Sequence, residues 1–150
     1  MLDIFTVSFF GHREVDHFRE AEKQVDMLVY RLLKEKEYVD FLVGRNGDFD
    51  ILAAATIQKV KKAVGAERIQ LNLVLPYRAA DMPYYESYYD EVIIPEELSN
   101  LHYKKQIGKR NEWMIERSDL LVCYVAYQSG GAYAGYRYAD LGRIRKNEGS

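Results

Sequence analysis

With a single cysteine, Cys123, among its 150 residues, the chain cannot form an intramolecular disulfide. Set inside an apolar run, that cysteine reads as a small core hydrophobe in a reducing, cytoplasmic setting. No uninterrupted apolar stretch approaches the roughly 18 to 20 residues needed to span a bilayer. The N-terminus reaches an acid at Asp3, with neither a basic n-region nor a small-residue cleavage site, so no secretory leader is expected. Positive charge is not in excess. A net charge of −2 and a pI near 5.9 argue against general nucleic-acid binding. His17 and His102 lie outside any ligand-type spacing, and no His/Cys/Asp/Glu cluster resembles a metal site. No metal and no required cofactor is therefore expected. The Walker Gly-Lys-Ser/Thr and the Gly-x-Gly-x-x-Gly fingerprint are both missing, as are internal repeats and low-complexity tracts.

What remains is ordinary globular material: 48% hydrophobic and 29% charged residues, in a length that suits one domain over 1–150 with a frayed tail from about 146. Three apolar runs break at polar turns that carry glycine. Ile4–Phe10 leads into Gly11-His12-Arg13, Tyr38–Val43 into Gly44-Arg45-Asn46-Gly47-Asp48, and Leu120–Val125 into Ser129-Gly130-Gly131. A helix-patterned stretch follows each. Val15, Phe18, Val25, Leu28, Val29, Leu32 and Leu33 recur at three- and four-residue steps, predicting an amphipathic helix of roughly 20 residues. Ile51–Val64 predicts a second helix, with Gly65 as its left-handed stop. Strands are expected at Ile69–Leu75 and Glu91–Ile94, with a short helix around Pro83–Tyr89. A further helix is expected at about Tyr103–Arg117, and a last one after Gly131. Near-continuously apolar strands alternating with helices predict an α/β fold: a doubly wound, mainly parallel five-stranded sheet flanked by helices, Rossmann-like.

In such sheets ligands bind beyond the carboxyl ends of the strands, where the glycine turns fall. Helix N-termini offer unpaired N–H groups, and glycine lets a backbone approach an anion. Gly11 frees the first turn, Arg13 supplies a donor fork for phosphate or carboxylate, and His12 could donate or titrate. In the second turn Gly44 and Gly47 bracket the bend, and Asp48 or Asp50 is expected to N-cap the helix, leaving the other for a ribose hydroxyl or amine. Ser129, Gly130 and Gly131 form a reasonable phosphate cradle. Lys109-Arg110-Asn111 reads either as a solvated basic run or as a pair, Arg110 and Asn111, turned toward the site. Tyrosine is abundant, 13 in all, with clusters at Tyr77, Tyr84, Tyr85, Tyr88 and Tyr89 and again from Tyr124 onward. Rings with polar tips suit sheet packing, ligand walls or a homo-oligomer interface.

Taken in order, these motifs resemble the SLOG superfamily, the Rossmann-like group that joins the Lonely Guy phosphoribohydrolases to DprA-type proteins, and within it the bacterial YpsA-like branch. The residues that carry the resemblance are Gly11-His12-Arg13, Gly44 with Gly47-Asp48-Phe49-Asp50, Pro76-Tyr77, Arg110-Asn111-Glu112-Trp113-Met114, Ser118-Asp119 and Gly130-Gly131. They span about residues 4–141. The resemblance implies a pocket for a nucleotide or nucleotide-derived ligand, and association into oligomers. The Lonely Guy pattern Pro-Gly-Gly-x-Gly-Thr-x-x-Glu is not reproduced: Gln128–Tyr136 contains neither the threonine nor the glutamate. Glycosidic cleavage needs a carboxylate to stabilise an oxocarbenium-like centre or activate water. The expectation is thus a binder or sensor of a nucleotide-derived small molecule. The alternatives are an N-glycosidase acting on nucleoside monophosphates through Asp48, Asp50 or Glu14, and a protein-interaction module with a vestigial pocket.

Overall fold

The computed structural model describes residues 2–124. It contains strands β1 (Ile4–Gly11), β2 (Tyr38–Val43), β3 (Ile69–Val74), β4 (Glu91–Ile93) and β5 (Leu120–Tyr124). The helices are α1 (Phe18–Glu35), α2 (Asp48–Val64), α3 (Met82–Tyr88) and α4 (Tyr103–Glu116). All five strands are parallel, in the spatial order β4-β3-β2-β1-β5. The chain walks outward from β1 to β4 and then returns to lay β5 on the far side of β1. That reversal makes the gap between the ends of β1 and β5 the topological switch point.

Alternation along β1 shows how the layers are separated. Val7 and Phe9 point into the larger core, against Ala21, Val25, Val29, Leu32 and Leu33 of α1 and Leu52, Ala53, Ile57 and Val60 of α2. Phe10 points to the opposite face and packs with Leu42, Val74 and the α4 residues Met114 and Ile115. Ser8, on that same face, is fully buried, its hydroxyl paired with Ser118 Oγ at 2.5 Å. Helices therefore cover both faces, giving the expected three-layer α/β sandwich.

Element bounds differ from the sequence expectation where tertiary contacts replace local patterning. α1 starts at Phe18 rather than Val15; Phe18 is 49% exposed, whereas Val15 packs against the core from the loop. α2 begins three residues earlier than its apolar pattern suggests, at Asp48. It ends at Val64 as expected, but Gly65 is not in the left-handed helical conformation: φ 100 and ψ 158 place it in an extended positive-φ region that disfavours any side chain. Val125, the Ser129-Gly130-Gly131 turn and the helix expected after it lie outside the described residues.

Candidate functional site at the carboxyl edge of the sheet

Parallel strands place their carboxyl ends along one edge, so Gly11, His12, Arg13 and Glu14 after β1 and Gly44–Asp48 after β2 become neighbours. The two turns are joined directly, Asp48 N donating to Arg13 O at 2.8 Å. The expectation that Asp48 or Asp50 caps α2 is not met. Gly47 occupies the N-cap position and no side chain caps the helix. Asp50, in the first turn, instead reaches back so that Oδ2 accepts from Asn46 N at 2.9 Å. A buried acceptor is satisfied this way and the turn is pinned to its own helix.

Close packing within the protein requires glycine at three of these positions. A Cβ on Gly47 would stand 2.4 Å from Arg13 Cα, a backbone atom, so the close meeting of the two turns requires a missing side chain. A Cβ on Gly44 would stand 2.7 Å from Arg110 Nη1 and 3.2 Å from Asp50 Oδ2. Gly11 likewise gives its space to Phe49, whose ring stacks on Tyr124 of β5 at 5.6 Å between centroids. In all three places the room freed by glycine is filled by the protein itself.

Arg110 and Asn111 are brought to this edge from α4, but inward. Arg110 is 2% exposed; Nη1 donates to Val74 O at 2.8 Å and Nε to Asn111 Oδ1 at 2.9 Å. Asp50 is buried on the other side of Gly44. Burial raises the Asp50 pKa, against the Asn46 hydrogen bond and the Arg110 charge, which favour the carboxylate. Burial lowers the Arg110 pKa, with Asp50 and Tyr77 opposing. The solvated-run alternative for this segment holds for Lys109, more than half exposed and paired with Glu112 at 3.0 Å, and fails for Arg110.

His12 is buried beneath the edge, its backbone N–H donating to Tyr124 O at 3.2 Å. Arg13, Glu14 and Asp48 are exposed. Arg45 was not singled out by its sequence context, yet it sits 4.9 Å over the Tyr85 ring. Burial works against its charge, but the neighbouring Tyr89 and Tyr85 side chains outweigh it and raise its pKa overall. No ion pair joins Arg13 or Arg45 to a carboxylate among the described residues. A sequence signal for Arg45 did exist: it is the only cation in the second glycine turn, 40 residues ahead of the Tyr84–Tyr89 cluster whose rings receive it.

The tyrosines divide. Tyr89 is 3% exposed and Tyr85 and Tyr88 pack on the core, whereas Tyr77 and Tyr84 are about half exposed. Ser129, Gly130 and Gly131, expected to complete the rim, lie outside the described residues. Among the described residues no group of three or more His, Cys, Asp or Glu is arranged to hold a metal, and no helix is long and apolar enough to cross a membrane. Comparison with protein-family models and with curated proteins returns no match for the chain.

Proposed function

We propose that this chain binds a nucleotide-derived, anionic small molecule across the carboxyl edge of the sheet, at the switch point between β1 and β5, as a SLOG-type binding or sensing domain. The observation that carries the proposal is Arg13. It leaves the last turn of a central strand at the switch point, is exposed, and has no ion-pair partner among the described residues. A guanidinium so placed offers a planar fork to phosphate oxygens. The N-terminus of α2, by contrast, is a poor anion cradle. Its first-turn N–H at Asp48 is bonded to Arg13 O, and Asp48 and Asp50 already oppose its dipole. We therefore assign the phosphate to Arg13 rather than to the N-terminus of α2.

Of the acids named for the glycosidase alternative, Asp48 and Glu14 are exposed, whereas Asp50 is buried with Oδ2 accepting from Asn46 N. Thermal shift across nucleosides and their mono- and diphosphates tests the proposal. A ligand at a hundred times its Kd should stabilise the fold by about 2.7 kcal/mol, and Arg13→Met should remove most of that gain. No shift with any member of the panel refutes it. Free base released from a nucleoside monophosphate would promote the enzyme alternative instead.

A further inference from the structure

Arg45 presents a physical puzzle that its packing alone does not answer. A half-buried guanidinium rests on the Tyr85 ring, 4.9 Å from its centroid, with no carboxylate paired to it among the described residues. The ring face restrains the guanidinium but does not cancel its charge. The nearest acid in sequence, Asp48, pairs with neither Arg45 nor Arg13. Desolvating an uncompensated cation is costly unless something else supplies the counter-charge. The position is equally particular. Arg45 precedes Gly47 by two residues, and Gly47 is the point where the β2 turn meets the Arg13 backbone. Two arginines with no ion-pair partner among the described residues thus rise from adjoining turns of neighbouring parallel strands, on the same edge of the sheet.

We infer that Arg45 is a second anion contact of the carboxyl-edge site, acting with Arg13 as a two-point clamp that selects ligands carrying more than one phosphate charge. The inference rests on the binding function proposed above and adds the charge class of the ligand. Tyr85 is the positioning residue: it holds the guanidinium plane without touching the ligand. Pre-orienting the fork in this way reduces the side-chain entropy lost when an anion is bound.

Calorimetric titration with adenosine, AMP and ADP at one low ionic strength separates the outcomes. The wild type should bind ADP more tightly than AMP, and AMP more tightly than adenosine. Arg45→Met should weaken ADP about ten- to a hundredfold, the range expected for losing a charge-assisted hydrogen bond, while leaving adenosine unchanged. Arg45→Gln keeps a polar side chain beside the tyrosines without the charge. It should behave as Arg45→Met does and decides the matter if Met at this position compromises folding. Tyr85→Leu should give a smaller loss on ADP and raise the salt sensitivity of binding. Wild-type affinity for ADP in Arg45→Gln, or an equal loss on ADP and adenosine, overturns the inference. If the wild type binds AMP but not ADP more strongly, the two-point clamp fails while the binding function stands. If it binds none of the three, both fail together.

Discussion

Gly44→Ala offers the most direct test of what the glycine turns are for. The added methyl would lie 2.7 Å from Arg110 Nη1, several tenths of an ångström inside ordinary van der Waals contact, and 3.2 Å from Asp50 Oδ2. The guanidinium has little room to yield, because Arg110 is 2% exposed and the same Nη1 is held by Val74 O at 2.8 Å. Overpacking of this kind costs about 1–3 kcal/mol. Arg110→Ala alone strands the buried Val74 carbonyl and frees Asn111 Oδ1, a loss of about 1–3 kcal/mol. In the double variant the methyl enters space the arginine has vacated. Gly44→Ala should then cost little, so the two substitutions are coupled by roughly 1–3 kcal/mol. Urea unfolding followed by far-UV circular dichroism and Trp113 fluorescence would measure all four corners of the cycle. Strict additivity would refute the packing role. So would a Gly44→Ala protein of unchanged stability that had lost ligand affinity, since that is the behaviour of a glycine kept for close approach of an anion.

Gly47→Ala should separate the β1 and β2 turns, since its Cβ meets backbone at 2.4 Å and the Asp48 N–Arg13 O bond cannot survive the shift. The expected loss is about 1–3 kcal/mol in urea unfolding, together with weaker binding as Arg13 is displaced; unchanged stability would contradict so close a meeting of the two turns. Asp50 carries a pH signature. Its folded pKa is raised, so its contribution to stability is complete below the unfolded value and is lost as pH rises through the folded one. The stability of Asp50→Asn relative to wild type should therefore improve between strongly acidic and neutral pH, and the opposite trend would mean that Arg110 and the Asn46 N–H outweigh burial. Gly65→Ala places a side chain at φ 100, ψ 158, a region open essentially to glycine alone, and should cost about 1–3 kcal/mol, with Gly65→Asn costing as much; equal melting temperatures for all three proteins would count against a glycine-only stop.

Much of the fold is legible in the sequence because it depends on short-range periodicity. The buried positions of α1, from Ala21 through Val25 and Val29 to Leu32 and Leu33, repeat at helical steps. β2 is bounded as its apolar run suggests, and Gly65 stops α2 for a reason local to one residue. The site is less legible. Neither acid at the start of α2 shows by type whether it will cap, face solvent or turn back on the preceding loop, since all three are open to a carboxylate in a helix first turn. Asp48 and Asp50 took the second and third courses. Lys109 and Arg110 are adjacent and both basic, and only the rotation of α4 against the sheet puts one in solvent and the other 2% exposed beside Val74.

By itself, then, the sequence determined the alternation of strands and helices, the parallel sheet this implies, and the presence of glycine in the turns after β1 and β2. Tertiary structure alone decided which strand lies beside which. The return of β5 to the outside of β1 creates the switch point, and that choice is made by long-range pairing rather than by any local pattern. It also decided what the glycines are for. A missing side chain in the sequence says only that something comes close, and what comes close to Gly44 and Gly47 is Arg110 and the Arg13 backbone. Arg45 gained its meaning in the same way, because a cation in one turn and a cluster of tyrosines 40 residues later become one feature only when the sheet brings them together.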